Sequence, residues 1–362
     1  MDRIRFGIIG SGWRSLYYVR AALASADRFE LCGMVCRRKE KAAVIAAEYG
    51  IPVFTDPQDL LKASPMFVVV AVDKAHVLEV SIEWLRKGIA VLAETPAAAD
   101  IASLRLLRET IQSGKKLVTA EQYRLFPENR ARLKLIGSGR IGEPSFLYLS
   151  LAHEYHAASL MRAFLQISPE IPFSVKAYSG MFDTVETLTR TERFTDGRTA
   201  LKKRTCAVIA YADGKTCLYD FDSEQYRSPI RSSHWKLQGT RGEIFDDTVL
   251  WLDQNNCPQR AEILTRTRTI YTGSANPNLM QYETIDEISF ENEILYTPDA
   301  DLRGLAQDET AVAEILTRMY AYAAGEGKAP YAPEESIQDA LLAVMMREAA
   351  ETGKEQRSED YF

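Results

Sequence analysis

The sequence has no run approaching 18 apolar residues, so no helix is expected to span a membrane. Its start, Met-Asp-Arg-Ile-Arg-Phe-Gly, goes straight into a strand pattern and lacks the basic, apolar and small-residue segments of a secretory signal. It has no basic excess: a net charge of −6 gives no general attraction to nucleic acid. Cysteine is scarce. Cys32, Cys36, Cys206, Cys217 and Cys257 are odd in number, form no Cys-x-x-Cys, and fall mostly in apolar strand-like runs. That pattern reads as buried thiols in a reducing compartment, not as a disulfide framework or zinc knuckle, and the expected location is the cytoplasm. Histidine is scarcer still, with four residues. Imidazole chemistry must therefore draw on His76, His153, His156 and His234.

What is present points to an α/β chain of two domains. At 362 residues a single hydrophobic core is not the default. Up to about residue 120, short apolar runs alternate with helical patterns: strands at Ile4–Ile9, Glu30–Cys36, Phe67–Val72, Ile89–Ala93 and Leu117–Ala120, and helices at Trp13–Ser25, Glu40–Tyr49, His76–Lys87 and Ile101–Ser113. The consecutive β-branched residues of Phe67–Val72 need cover on both faces, as a parallel sheet between helix layers provides. After Gly142 the pattern turns strand-rich. It has a strand at Phe146–Leu151, a helix at His156–Gln166, a hairpin turn at Asp213-Gly214, strands at His234–Gln238, Ile244–Trp251, Ala261–Tyr271 and Tyr282–Phe290, and two closing helices at Gln307–Ala324 and Glu335–Glu351. The expectation is an N-terminal Rossmann domain, residues 1–122, and a C-terminal α+β domain, residues 123–362, on a large, mostly antiparallel sheet. The last helices are candidates to pack back on the first domain.

Gly7-Ile-Ile-Gly10-Ser11-Gly12-Trp13-Arg14-Ser15 follows the first strand and opens the first helix. It is not a mononucleotide P-loop. Gly10 permits the tight turn, and Gly12 lets the backbone approach a pyrophosphate lying over the free N–H groups of the helix start. Ser15 is small enough for close helix–strand packing. Gly10, Ser11, Gly12, Trp13 and Arg14 are thus candidate cofactor contacts. An acidic residue at the end of the second strand would read the ribose hydroxyls of NAD; here stand Cys36-Arg37-Arg38-Lys39. Arg37 and Arg38 suit a 2′-phosphate, which makes NADP the preferred cofactor and NAD the alternative.

Other candidates stand at strand ends. His76 follows the buried strand and is a further cofactor candidate. Glu94-Thr95-Pro96 follows Ile89–Ala93, and Glu94 is a candidate for cofactor or substrate. Tyr123 and Arg124 follow Leu117–Ala120, the first a hydrogen-bonding aromatic, the second a reader of anions. His153-Glu154-Tyr155-His156 opens a helix in the second domain. His156 is the candidate proton donor or acceptor, Tyr123 is a candidate to assist it, and His153 and Tyr155 are candidate substrate contacts. His153 and His156 lack an evident third ligand, so no metal is expected.

These motifs together resemble the glucose-fructose oxidoreductase / inositol dehydrogenase / MocA family along nearly the whole chain. The resemblance rests on the glycine turn, Leu85-Arg-Lys-Gly88 leading to Glu94-Thr95-Pro96, Gln122–Pro127, Leu135–Pro144, Gln238–Glu243 and the last helix. It implies an NAD(P)-dependent oxidoreductase acting on a sugar, inositol or related polyol, and a homo-oligomer formed through the C-terminal sheet. It also implies a catalytic set from which this chain departs. Thr95 stands where the family has the lysine of Glu-Lys-Pro, and Ala152 stands where it has an aspartate, while His156 takes the catalytic histidine position. Those departures keep two alternatives open: a catalytically degenerate nucleotide-binding or regulatory protein, and a lyase or glycosidase using bound NAD as an internal redox relay.

Overall fold

The computed structural model describes residues 3–189, 192–272 and 280–361. In chain order its elements are β1 (Ile4–Ile9), α1 (Trp13–Ala24), β2 (Phe29–Val35), α2 (Lys39–Tyr49), β3 (Val53–Phe54), α3 (Pro57–Lys62), β4 (Phe67–Val70), α4 (Val77–Arg86), β5 (Ala90–Ala93), α5 (Ile101–Gln112) and β6 (Leu117–Thr119). A 3-10 turn at Tyr123–Leu125 leads to α6 (Pro127–Gly137), β7 (Pro144–Ser150), α7 (Glu154–Leu165), β8 (Phe173–Val185), β9 (Thr199–Tyr211) and β10 (Thr216–Asp222). A one-turn 3-10 helix, Ser223–Tyr226, precedes β11 (His234–Gly239), β12 (Gly242–Phe245), β13 (Thr248–Leu252), β14 (Pro258–Tyr271), β15 (Gln281–Phe290) and β16 (Glu293–Tyr296). The chain closes with α8 (Gln307–Ala324), α9 (Pro333–Thr352) and β17 (Gln356–Arg357).

Two compact units result: Met1–Phe126 with Asp299–Ala340, and Pro127–Pro298 with Leu341–Phe362. The first holds a six-stranded sheet in the order β3-β2-β1-β4-β5-β6, every pair parallel. This is the doubly wound order, whose direction reverses between β1 and β4 and opens a ligand crevice at their carboxyl ends. The four residues of β4 are fully buried, and Phe6 of β1 stacks on Phe67 with ring centroids 5.8 Å apart. Each such side chain contributes about 1.5–3 kcal/mol by leaving water. Helix α8 packs against α1, where Arg20 Nε donates to Glu309 Oε1 at 2.8 Å.

The second unit is built on an eleven-stranded sheet, ordered β16-β15-β14-β13-β12-β11-β7-β10-β9-β8-β17. Among the described residues only β7 and β10 pair in parallel in it. Helix α7 covers β7, and its residues from Tyr155 to Arg162 are all buried. No helix among the described residues is long and apolar enough to cross a membrane.

Three sequence expectations are corrected. Ile244–Trp251 is not one strand: the chain turns at Asp246, whose φ of +50° aspartate tolerates, and β12 pairs back on β13 with Phe245 opposite Thr248. Hydrophobic content alone hid that two-residue turn. Helix α3 escaped the periodic reading because it is short, although Asp56 caps it by accepting from Gln58 N–H at 2.8 Å and Pro57 opens it. All five thiols are free, but only Cys32, Cys36 and Cys217 are buried. Strand alternation puts Cys206 on the outer face of β9, opposite in direction to buried Ala207, and Cys257 lies at an exposed turn.

Candidate functional site

In the first unit the glycine turn lies at the point where strand order reverses. Gly10 N–H donates to Val35 carbonyl at 3.1 Å, and Ala71 N–H donates to Ile9 carbonyl at 2.8 Å, so the turn is tied to both neighbouring strands. Gly10 has a φ of +116°, and a Cβ there would lie 2.2 Å from the Ala71 carbonyl oxygen. Only glycine fits. Gly12 differs: its φ is −73°, and a Cβ would meet no atom within 4 Å. It borders open space at the start of α1. That start has no side-chain cap bond and no acidic residue in its first turn, which leaves the amides and the positive end of the dipole to an anion. Ser15 is fully buried and its hydroxyl donates to the Ala71 carbonyl at 3.3 Å, seating α1 against the end of β4. The residues present therefore fit a dinucleotide pyrophosphate.

At the end of β2, buried Cys36 donates its thiol to Ser11 Oγ at 3.2 Å. Arg37 and Arg38 are exposed, and neither guanidinium pairs with a carboxylate among the described residues. Trp13 is 50% exposed, its ring 5.8 Å from that of Tyr17. His76 is exposed at the N-terminus of α4 and makes no capping bond.

Arg14 and Glu94 are drawn to each other. Glu94, buried at the end of β5, accepts from Arg14 Nε at 2.8 Å and from the Tyr18 hydroxyl, while its second oxygen accepts Thr95 N–H at 3.2 Å. Arg14 also donates to Asp308 of α8 at 3.0 Å. Burial alone would lower the Arg14 pKa, but the charges of Glu94, Tyr18 and Asp308 together hold it well above the usual value. Burial, then Glu94, pushes Tyr18 well up, so its hydroxyl stays a donor. Tyr18 is one turn from Arg14, a spacing visible in the sequence; Asp308 carries no such signal. Arg124, expected to read an anion, donates to Glu335 at 2.9 Å, lies 3.9 Å from Asp339 and stacks over Tyr331. Both carboxylates belong to α9. Tyr123 stacks on Phe126 at 4.6 Å and its N–H donates to Glu121.

In the second unit His153, exposed, is the N-cap residue of α7, and His156, only 6% exposed, is in its first turn. Their rings meet edge-on, 4.9 Å apart. Tyr155 is buried, with its ring 6.0 Å from His156. Ala152 is fully buried, and its carbonyl accepts from the Tyr219 hydroxyl at 3.2 Å; the hydroxyl oxygen of Tyr219 in turn accepts Glu154 N–H at 3.0 Å. Burial keeps that phenol protonated far above its ordinary range. Tyr226, which sequence reasoning missed, bonds His153 Nδ1 at 2.6 Å. Among the described residues no group of three or more His, Cys, Asp or Glu is arranged to hold a metal.

Residues 4–122 match the model of the GFO/IDH/MocA family, described as an oxidoreductase family with an NAD-binding Rossmann fold. An uncharacterized oxidoreductase of Rhizobium meliloti is 30% identical over 146 residues, which are 40% of this chain and 44% of that protein. The match thus spans less than half of the relative's length. Two solved structures of similar fold match along nearly all of this chain. One is an oxidoreductase from Agrobacterium radiobacter in complex with NAD+, L-tartaric acid and magnesium, 14% identical, with a TM-score of 0.68 and full coverage of both chains. The other is the WlbA dehydrogenase from Bordetella pertussis in complex with NADH and UDP-GlcNAcA, 17% identical, with a TM-score of 0.62 over 98% of this chain and 97% of that one. At such identities the likeness to these structures shows the fold alone.

Proposed function

We propose that this chain is an NAD(P)-dependent oxidoreductase that moves hydride between a nicotinamide cofactor and a sugar, inositol or related polyol, with NADP favoured over NAD. The observation that carries the reading is the first βα turn, where Gly10 is required by its neighbours and Gly12 faces open space at an uncapped helix start. Gly10, Ser11, Gly12 and the α1 amides would hold the pyrophosphate, Arg37 and Arg38 the 2′-phosphate, and Trp13 and His76 would flank the dinucleotide. Arg14 and Glu94 would fix the wall of that crevice. When bound, the nicotinamide supplies a hydride acceptor. The chain must then take the proton of the alcohol, and His156 is the group proposed to do so, with Tyr123 assisting. In the second unit His153 and Tyr155, and in the first Glu94 and Arg124, are the proposed substrate contacts. The same reading assigns nucleotide binding to residues 1–122, and substrate binding and homo-oligomerisation to residues 123–362, in a cytoplasmic protein.

A panel of inositols, aldoses and sugar acids tests this by the rate of NADP reduction. His156→Ala is expected to lower turnover about 10²–10⁴-fold, the contribution of a positioned acid or base. Full turnover in that variant removes the assignment. Thr95 and Ala152, in place of a lysine and a carboxylate, favour a second reading, a nucleotide-binding regulatory protein. Tight NADP binding with no turnover across the panel would decide for it.

A further inference from the structure

The second unit carries a histidine pair, His153 and His156, whose rings meet edge-on. Beside the pair stands a tyrosine from a different element. Tyr226 Oη accepts the backbone N–H of His153 at 3.0 Å and bonds its ring Nδ1 at 2.6 Å. The Tyr226 ring packs on Phe221, with centroids 5.0 Å apart, and meets the His153 ring nearly at right angles.

Tyr226 is itself held. It ends the one-turn helix Ser223–Tyr226, which buried Asp222 caps by accepting Glu224 N–H at 3.0 Å. The neighbouring Gln225 returns a bond to Asp222 N–H at 3.0 Å and donates to Ser150 Oγ at 2.9 Å and to the Ser232 carbonyl at 2.8 Å. Asp222 is in turn paired with Arg204 at 2.8 Å. The turn that carries the phenol is therefore held from β7, β9 and β10 at once, and the phenol bonds two atoms of one histidine. A surface contact needs none of this support.

We infer that Tyr226 is a positioning residue for the His153–His156 pair, fixing the His153 ring through Nδ1 and so the edge that meets His156. A hydrogen bond at one ring nitrogen fixes the orientation of an imidazole and the role of its other nitrogen. The proposal rests on the reading of His156 as the proton-handling group.

The chain has four histidines, so ring-nitrogen NMR of ¹⁵N-histidine-labelled full-length protein gives four resolvable imidazoles, assignable by single His→Gln changes. Tyr226→Phe keeps the packed ring and removes only the hydroxyl. It is expected to move the ring-nitrogen resonances of both His153 and His156, with the unfolding midpoint and NADP affinity unchanged. His153→Asn, which keeps a polar atom near the Nδ1 position, should leave His156 closer to wild type than His153→Ala does. Unmoved His153 resonances in Tyr226→Phe, or movement confined to His153, would overturn the proposal. Turnover separates it from the reading beneath it. If His156→Ala keeps full activity while the NMR coupling is present, the catalytic reading fails and the positioning stands. If His156→Ala is inactive while the NMR coupling is absent, the reverse holds.

Discussion

Arg14→Met should destabilise the first unit by about 3–5 kcal/mol, the loss typical when one partner of a buried ion pair is removed. The side chains of Arg14 and Glu94 are 13% and 9% exposed, so solvent screens them little. Methionine fills the volume but leaves the Glu94 carboxylate buried with the Tyr18 hydroxyl and Thr95 N–H as its described donors. It also strands Asp308, which is 38% exposed and can turn to water. The loss thus falls mainly on Glu94. At about 2–4 °C per kcal/mol for a domain of this size, the midpoint should fall by about 6–20 °C. Adding Glu94→Gln removes the uncompensated charge while keeping an acceptor for Tyr18, so the double variant should recover part of the loss. Thermal unfolding of the three variants checks this. A loss below about 1 kcal/mol in Arg14→Met would mean that the pair behaves as an exposed one.

Gly10→Ala is expected to be as damaging, for a different reason. A φ of +116° costs an L-residue at least the roughly 1–2 kcal/mol of the left-handed region. The added methyl would also stand 2.2 Å from the Ala71 carbonyl oxygen. The oxygen belongs to backbone and the methyl is fixed directly to backbone at the sheet's reversal point, so relief requires parting the ends of β1 and β4, and overpacking of this kind costs about 1–3 kcal/mol more. Gly12→Ala is the control. Its φ of −73° suits alanine and no atom lies within 4 Å of the new methyl. It should leave the unfolding midpoint unchanged and lower NADP affinity about tenfold or more, because the methyl takes the space proposed for the pyrophosphate. Equal stability of the two variants would contradict the steric account. Undiminished NADP affinity in Gly12→Ala would contradict the placement of the cofactor.

The contrast between those glycines also marks what the sequence could convey. Local periodicity carried the first 120 residues well, because each βα repeat declares itself within a dozen positions and the glycine turn has a fixed place in it. The mostly antiparallel character of the second sheet was legible from strand-like runs and one Asp-Gly turn, but its eleven-strand order was not, since pairing is set by contacts distant in sequence. The same limit governs the site. Arg14 and Glu94 were singled out for a ligand, yet their link to each other and to Asp308, 294 positions away from Arg14, is tertiary. The nearness of Arg124 to Glu335 and Asp339 is likewise tertiary and carried no local signal. Tyr226 gave no signal at all: one tyrosine among 17 becomes informative only when a capped turn brings it to His153.

The central claim is that residues 1–122 hold a dinucleotide and that Arg37 and Arg38 choose its 2′-phosphate. Calorimetric titration of the full chain with NADP and with NAD tests it most directly, repeated on the Arg37→Ala/Arg38→Ala variant. The account predicts that wild-type protein binds NADP about tenfold or more tighter than NAD. The double variant should lose that difference while binding NAD as before. Equal or tighter NAD binding by wild-type protein would contradict the role of the two arginines, and failure of either dinucleotide to bind at about millimolar concentration would contradict the claim itself.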